Sequence, residues 1–361
     1  MILFALIPSL SFAGISPDSL HRLQSRADSG NDTAQCTLAS LYLTGQGVPF
    51  DDKRAFNLYL EAANHGNTLA QYNMGMMYVL GALVLADYST ALNWFRKAAE
   101  KGFADAQSKL GAMYYNGDCI PHDYAEAVKW YKAAAEQGDT VSQYRLAVMY
   151  QKGEGVEPNA VEAVKWYRKA AEQGHAPSQN NLGGLCKTGD GVERNYSEAV
   201  RWYRKAAEQG FASAQANLGA MYAMGLGVSQ NYVETIHWLQ LAALQGETFS
   251  QGILGEMYYK GMGIPQDFKE SAKWSRMAAE SGYAPSQRRL GIAFQFGNGV
   301  TQDIVQAYIW YGLASSSGDT LSQRYQRKLA AQMTFEQISQ AQDSVSKWKP
   351  KTSQSTNVVH K

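Results

Sequence analysis

Residues Ala214-Gln215-Ala216-Asn217-Leu218-Gly219-Ala220-Met221-Tyr222-Ala223-Met224-Gly225-Leu226-Gly227-Val228 decide the fold. Gln215, Leu218, Gly219 and Tyr222 fall at i, i+3, i+4 and i+7, the spacing of one face of an α-helix. Gly225 supplies the left-handed residue that ends such a helix at little steric cost, so a first helix, A, closes there. A second helix, B, repeats the spacing, most fully in the preceding stretch as Ala199, Trp202, Tyr203 and Ala206.

Outward from Gln215 the pattern recurs without insertion or deletion. Gln35, Gln71, Gln107, Gln143, Gln179, Gln251, Gln287 and Gln323 keep a 36-residue step. Glycines from Gly45 to Gly297 and from Gly66 to Gly318 keep the same phase, as do alanines from Ala62 to Ala314. Eight full units therefore run over 34–321, and a period of this length is the mark of a repeat architecture. A glycine inside helix A, such as Gly219, costs up to ~1 kcal/mol relative to alanine. Its recurrence predicts close helix–helix approach, with the Trp and Tyr of helix B filling the space between hairpins.

A single hairpin cannot bury both faces, so the array is stabilised by stacking and needs caps. Residues 14–33, with Leu20, Leu23, Ala27 and Gly30 in phase with a lone helix B, read as the N-terminal cap. Residues 322–348 read as the C-terminal cap: a lone helix A to Met333, then a helix opened by a Thr334–Gln337 capping box and running to about Trp348. Residues 349–361 lack apolar periodicity and read as a frayed tail.

Composition agrees with an array. Aromatics are plentiful at Tyr 22 and Trp 8, and charged residues at 18% fall below the usual quarter or so. Lys+Arg 33 against Asp+Glu 32 leaves a net charge of +1, so no global field favours nucleic acid or an anionic membrane. Cys36, Cys119 and Cys186 lie at three phases of the repeat and make no disulfide framework. Residues 1–13 read as a signal peptide, apolar from Ile2 to Phe12 except at Pro8, Ser9 and Ser11, with Ser11-Phe12-Ala13 as a small-residue cleavage site, although the basic n-region is missing. The expectation is a periplasmic or secreted protein; a cytoplasmic one, its apolar start capping the array, is the alternative. Nothing else approaches the ~20 apolar residues of a membrane span.

The unit A-x-A-Q-x-x-L-G-x-M-Y-x-x-G-x-G-V, seen at Ala214–Val228, followed by A-x-x-W-Y-x-K-A-A-E-x-G, seen at Ala199–Gly210, strongly resembles the Sel1-like repeat, a relative of the tetratricopeptide repeat. The resemblance covers about Leu20 to Trp348. It implies an all-α, right-handed α/α solenoid superhelix of eight hairpins with half-repeat caps, helix A lining the concave face. It also implies an adaptor for proteins or peptides; many bacterial members are exported. Departures are local: Gly81-Ala82-Leu83-Val84-Leu85 loses the second loop glycine, Cys186 replaces a helix A tyrosine, and Leu58 replaces the first tryptophan. The cysteine pairs of the helicobacter cysteine-rich branch are missing, so its disulfides do not carry over.

Counting from the residue before each glutamine, the third, seventh, tenth and eleventh positions of helix A flank the core stripe away from helix B. They vary where architectural positions do not, and they supply the expected partner-binding residues: Tyr72, Met76, Tyr115, Asn116, Tyr144, Gln151, Lys152, Asn180, Lys187, Tyr259, Lys260 and Arg288. Leu83-Val84-Leu85 is a second candidate contact. The partner is a protein or peptide, and an exposed terminal repeat offers an end for end-to-end self-association.

Catalytic readings are weaker. Lys187-Thr188-Gly189 and Ser344-Val345-Ser346-Lys347 spell two motifs of penicillin-binding enzymes, which suggests a hydrolase of cell-wall or β-lactam material. Gly189 is already the loop glycine, and no S-D-N completes the set. Gly153-Glu154-Gly155-Val156 lacks the third glycine and preceding strand of a dinucleotide site, and the histidines show no zinc spacing. The expectation is a non-enzymatic scaffold without cofactor, a cytoplasmic assembly factor being the other rival.

Overall fold

A computed structural model describes residues 15–118 and 120–351. The signal-like residues 1–13, Cys119, His360 and most of the expected tail lie outside them. Among the described residues the chain forms 19 helices and no strand, grouped into two compact units divided between Gln173 and Gly174. The N-terminal unit holds α1 (Pro17–Asp28), α2 (Asp32–Thr44), α3 (Asp52–Asn64), α4 (Thr68–Leu80), α5 (Tyr88–Glu100), α6 (Ala104–Asn116), α7 (Tyr124–Glu136), α8 (Thr140–Lys152) and α9 (Ala160–Glu172). The C-terminal unit holds α10 (Ala176–Thr188), α11 (Tyr196–Glu208), α12 (Ala212–Met224), α13 (Tyr232–Leu244), α14 (Thr248–Lys260), α15 (Phe268–Glu280), α16 (Ala284–Phe296), α17 (Ile304–Ser316), α18 (Thr320–Ala330) and α19 (Phe335–Lys347). Even-numbered helices from α2 to α18 are A helices and odd-numbered ones from α3 to α17 are B helices, so the fold is an all-α array of helical hairpins.

Each B helix starts at an Asx residue. Asp51, Asp87, Asp123, Asn159, Asn195, Asn231, Asp267 and Asp303 are extended and accept a hydrogen bond from the backbone of the first turn, satisfying N–H groups that the helix itself cannot. This 36-residue Asx series is a local signal that the glutamine and glycine series overshadowed. The A helices end on left-handed glycines such as Gly117, at φ 73°.

The close approach predicted for the helix A glycines is present. A methyl built on Gly111 would lie 2.9 Å from Tyr131 Cδ1, and one on Gly291 would lie 2.6 Å from Tyr311 Cε1. The rings of Tyr203 and Tyr311 are almost wholly buried in this way, and Tyr59 and Tyr167, where Ala39 and Ala147 stand in the glycine's place, are buried as fully; each large side chain removed from water contributes roughly 1.5–3 kcal/mol. Beside them lies the repeated glutamine. Gln71, Gln107, Gln143, Gln215, Gln251 and Gln287 each donate Nε2 to an alanine carbonyl eight residues earlier, at 3.0–3.1 Å. The last turn of each helix B thus finds a donor for a carbonyl that has no partner within its own helix. Gln323, the ninth of the series, is exposed instead.

The loop of the second unit is strained where it departs from the repeat. Leu83 has φ 71°, while Gly47, Gly155, Gly227, Gly263 and Gly299 at the equivalent place have φ 69–75°. At the chain's end, the Thr334–Gln337 capping box forms in both directions. The frayed tail expected from Lys349 onward is corrected for its first residues. Trp348 packs on a cluster that includes Ala279, Trp310 and Leu313, and Lys351 donates its backbone N–H to the Glu280 carbonyl at 2.8 Å and its ammonium to the Glu280 carboxylate at 2.7 Å. One indole and one clamped carboxylate hold this segment without any periodicity to announce it.

Candidate functional site

Within the N-terminal unit, α6 and α8 border a cavity of about 280 Å³ lined by Tyr72, Asp105, Ser108, Lys109, Ala112, Asn116, Tyr131, Asp139, Val141 and Arg145. Asp105, Lys109, Ala112 and Asn116 stand at i, i+4, i+7 and i+11, so one stripe of α6 forms a wall. The other wall is the start of α8, where Asp139 is the N-cap and accepts from Ser142 N at 2.7 Å. Partial burial, the charge of Asp139 and incomplete compensation by Lys109 push the Asp105 carboxyl above the usual carboxylate range. Burial, then the charges of Asp105 and Asp139, push the Tyr72 hydroxyl up to about 12, since a phenolate there would be poorly solvated and repelled.

The C-terminal unit has a smaller cavity of about 130 Å³ on the same stripe, bordered by Gly252, Ile253, Glu256, Tyr283, Pro285, Ser286 and Arg289. Arg289 pairs with Glu256, lies 5.6 Å from the Tyr259 ring centre, and is desolvated enough to lower its guanidinium to about 10. Lys260 takes the other Glu256 oxygen at 2.6 Å. Phe249, half exposed, stands edge-on to Tyr283 at 6.2 Å.

The twelve expected residues scatter between groove and framework. Tyr72 and Asn116 line the first cavity. Tyr72 also wedges between Phe95 at 5.7 Å and Phe103 at 5.5 Å, and Tyr144 lies 6.0 Å from Tyr167, so the third position reaches the hairpin core as well as the groove. Met76 is half-buried against the same cluster. Gln151 accepts from the buried Tyr167 hydroxyl at 2.9 Å. Tyr115 turns to the next loop, donating to Glu154 at 2.9 Å and lying tilted against Tyr124 at 5.3 Å; Lys152 pairs with the same Glu154 at 3.5 Å. Asn180 accepts from Asn217 at 2.9 Å, Arg288 pairs with Asp319 at 2.5 Å, and Lys187 is half-buried at the end of α10. Tyr259 and Lys260 flank the Arg289–Glu256 pair.

Asp105, Lys109, Asp139, Arg145 and Arg289 were missed. The signal was available: continuing the helical step backward from Asn116 gives Ala112, Lys109 and Asp105. Counting from the glutamine instead left out the residue just before each unit and the fourth within it. Of the catalytic-looking letters, Ser344 donates its hydroxyl to the Gln340 carbonyl at 2.9 Å and Lys347 pairs with Asp343 at 2.7 Å. Leu85 in the second loop is 91% exposed, so the apolar run does not fold back onto a neighbour there. Among the described residues no helix is long and apolar enough to cross a membrane.

Eight successive segments match the Sel1 repeat family: residues 33–67, 68–103, 104–139, 140–175, 176–211, 212–247, 249–283 and 284–319. Among solved structures, the chain is similar to a Sel1 repeat protein from Oxalobacter formigenes, at 30% identity and a TM-score of 0.68, over 88% of this chain and 91% of that one. It is also similar to c5321, described as a protective antigen present in uropathogenic Escherichia coli strains displaying an SLR fold, at 28% identity and a TM-score of 0.60, over 93% and 94% of the two chains. None of the curated proteins compared with the chain matches it.

Proposed function

The chain belongs to the Sel1 repeat family, and from that premise we propose that it is a non-catalytic scaffold holding an extended protein segment against the helix A stripe of its units. The observation that carries this reading is the divergence of that stripe within an otherwise uniform repeat. The glutamine, glycine and alanine framework recurs every 36 residues, while the stripe presents Asp105, Lys109 and Val141 in one unit and Phe249, Ile253, Glu256 and Arg289 in the other. A variable stripe on a repeated frame suits recognition of a partner, and Arg289 is of the residue type that dominates interface energetics.

We propose further that the protein is exported. The apolar run Ile2–Phe12 before Ala13 supports this.

The test pairs mass spectrometry of the intact protein from fractionated cells with a crosslinking pull-down from the same fraction. Cleavage after Ala13 and a recovered partner are expected. Val141→Asp and Phe249→Asp, both at half-exposed groove positions, should lose that partner without unfolding. Recovery unchanged by both substitutions overturns the groove reading, and an uncleaved cytosolic protein overturns export.

A further inference from the structure

The third residue of an A helix can reach forward to the next hairpin. Cys36 donates its thiol to Asn67 Oδ1 at 3.3 Å, and Arg288 donates to Asp319 Oδ1 at 2.5 Å; in both cases the acceptor lies 31 residues on and is the N-cap of the following A helix. Arg324 holds the same place in α18. Among the described residues α18 is the last A helix. The chain turns from it into α19, whose Ile338 and Ala341 pack with Tyr308 and Tyr311 of α17, and no further N-cap there offers Arg324 a carboxylate.

Arg324 does not stand alone. Arg327 and Lys328 follow it at i+3 and i+4, on one side of the helix. All three are exposed, and among the described residues none is joined to a carboxylate, a hydrogen-bond acceptor or an aromatic ring. Cations elsewhere are held: Lys129 by Glu126 at 3.0 Å, Arg96 by the Tyr114 hydroxyl at 2.7 Å and Arg204 by the Tyr222 hydroxyl at 2.6 Å. The surrounding sequence has little to neutralise the three. From Ala284 to Thr334 its acidic residues are Asp303 and Asp319; both cap helices, and Asp319 is also taken by Arg288. In α19, Asp343 pairs with Lys347, and Glu336 accepts from Gln340.

Charges of one sign, unpaired and adjacent, select their complement. Arg327 and Lys328 lie in the last turn of α18, where the helix dipole favours a cation. Arg324 lies a turn earlier, and like charges at i,i+4, as in Arg324 and Lys328, repel. The three span about 6 Å of helix axis, inside the ~10 Å that 0.1 M salt leaves unscreened, so one small anionic group feels all of them and relieves their repulsion. Arg324 and Lys328 are also the third and seventh residues of their A helix, on the stripe assigned above to the partner segment, so the anion that reaches them belongs to that segment. Nucleic acid fits less well, because it is held through many phosphates at once, whereas this patch is little more than one turn long and the whole chain carries only +1.

We infer that α18 is the seat for an acidic stretch of the partner segment, two or more aspartates or glutamates close together, whose carboxylates are taken by Arg324, Arg327 and Lys328 where a further hairpin would have offered its N-cap. The assignment rests on the scaffold reading above and names the chemistry of one part of the partner.

The test titrates a fluorescent, amidated Gly-Glu-Glu-Glu-Gly peptide with the full chain at low salt and reads its anisotropy, beside the same peptide bearing glutamine or lysine in place of glutamate. The glutamate peptide is expected to bind saturably, and the other two at least about tenfold more weakly, the loss of three exposed charge pairs together. Arg324→Gln with Arg327→Gln and Lys328→Gln should weaken the glutamate peptide by a similar factor; glutamine is a good helix former, and circular dichroism checks that the fold is retained. Lys129→Gln with Lys165→Gln and Lys273→Gln removes as many charges from exposed ion pairs and should leave the affinity unchanged. Equal losses in the two triple variants, equal binding of the glutamate and lysine peptides, or no saturable binding overturns the inference, as does an oligothymidylate that binds α18 more tightly than the peptide. A partner recovered in the pull-down equally well by the parent chain and the α18 variant leaves the scaffold standing and removes only its acidic specificity.

Discussion

Gln137 donates its Nε2 to Oε1 of Gln107 over 2.7 Å, completing a chain in which Gln107 donates to the Ala99 carbonyl at 3.1 Å. The same link joins Gln173 to Gln143, Gln209 to Gln179 and Gln245 to Gln215 at 2.7–2.8 Å. Where the residue thirty positions on is His65, Lys101, Ser281 or Ser317, the Oε1 atoms of Gln35, Gln71, Gln251 and Gln287 are buried without a partner. Ser281 has φ −83° and Gln137 has φ −84°, so the backbone already accepts glutamine. Ser281→Gln should stabilise the chain by about 1 kcal/mol, the net gain of one hydrogen bond to a buried acceptor, and Gln137→Ser should cost a similar amount. Urea unfolding of the three chains checks both signs; a Ser281→Gln chain no more stable than its parent refutes the link.

Leu83→Gly should also stabilise. A left-handed conformation costs a non-glycine residue roughly 1–2 kcal/mol, and Leu83 stands at φ 71°, so a gain of about 1 kcal/mol is expected in a thermal melt. Gly155→Ala should do the reverse, and more strongly, because its methyl would run into the Tyr124 carbonyl.

Much of this was legible in the sequence, and the part that was not has physical reasons. The period shows because Gln107 and its equivalents have one geometric task in every unit, while the places of Gly111 and Tyr131 are kept to small residues and mostly to aromatic rings. The third residue of helix A is ambiguous in sequence because it lies between core and solvent: Tyr72 and Tyr144 vary like surface residues but pack against Phe95 and Tyr167. Arg289 and Asp105 were overlooked because charge on one helix takes its meaning from the next helix, which sequence spacing within a single repeat does not record.

Raising the pH should weaken the fold. Burial pushes the hydroxyls of Tyr72, Tyr131 and Tyr203 from the ordinary 10.0 up to about 12, and moves Tyr59 and Tyr311 in the same direction. The unfolded chain therefore gives up these protons first. Stability from this source is fully present below pH 10 and is lost as the pH rises toward 12. Tyrosinate absorbance that climbs together with the loss of helical circular dichroism is the expected record; full ionisation with helix content retained contradicts it.

The Arg289–Glu256 pair should respond unequally to removal of its two members. Glu256→Gln leaves a largely buried guanidinium whose Nε already lacks a partner, and a stranded charge of this kind costs up to ~3 kcal/mol. Arg289→Met removes the charge itself and leaves Glu256 with Lys260, so it should cost less than about 1.5 kcal/mol. Equal costs in urea unfolding count against the asymmetry.

The Lys351 clasp on Glu280 joins residues 71 apart in sequence, in a unit whose other helices pack mainly on their neighbours in the chain. A stack of nearest-neighbour contacts frays from its ends one element at a time. With Trp348 and Lys351 fastened to α15, neither α18 nor α19 can peel away until that clasp opens, so the last hairpins leave together or not at all. The strap turns the end of a zipper into a single cooperative block, lengthening the wait before a protease finds unfolded chain there.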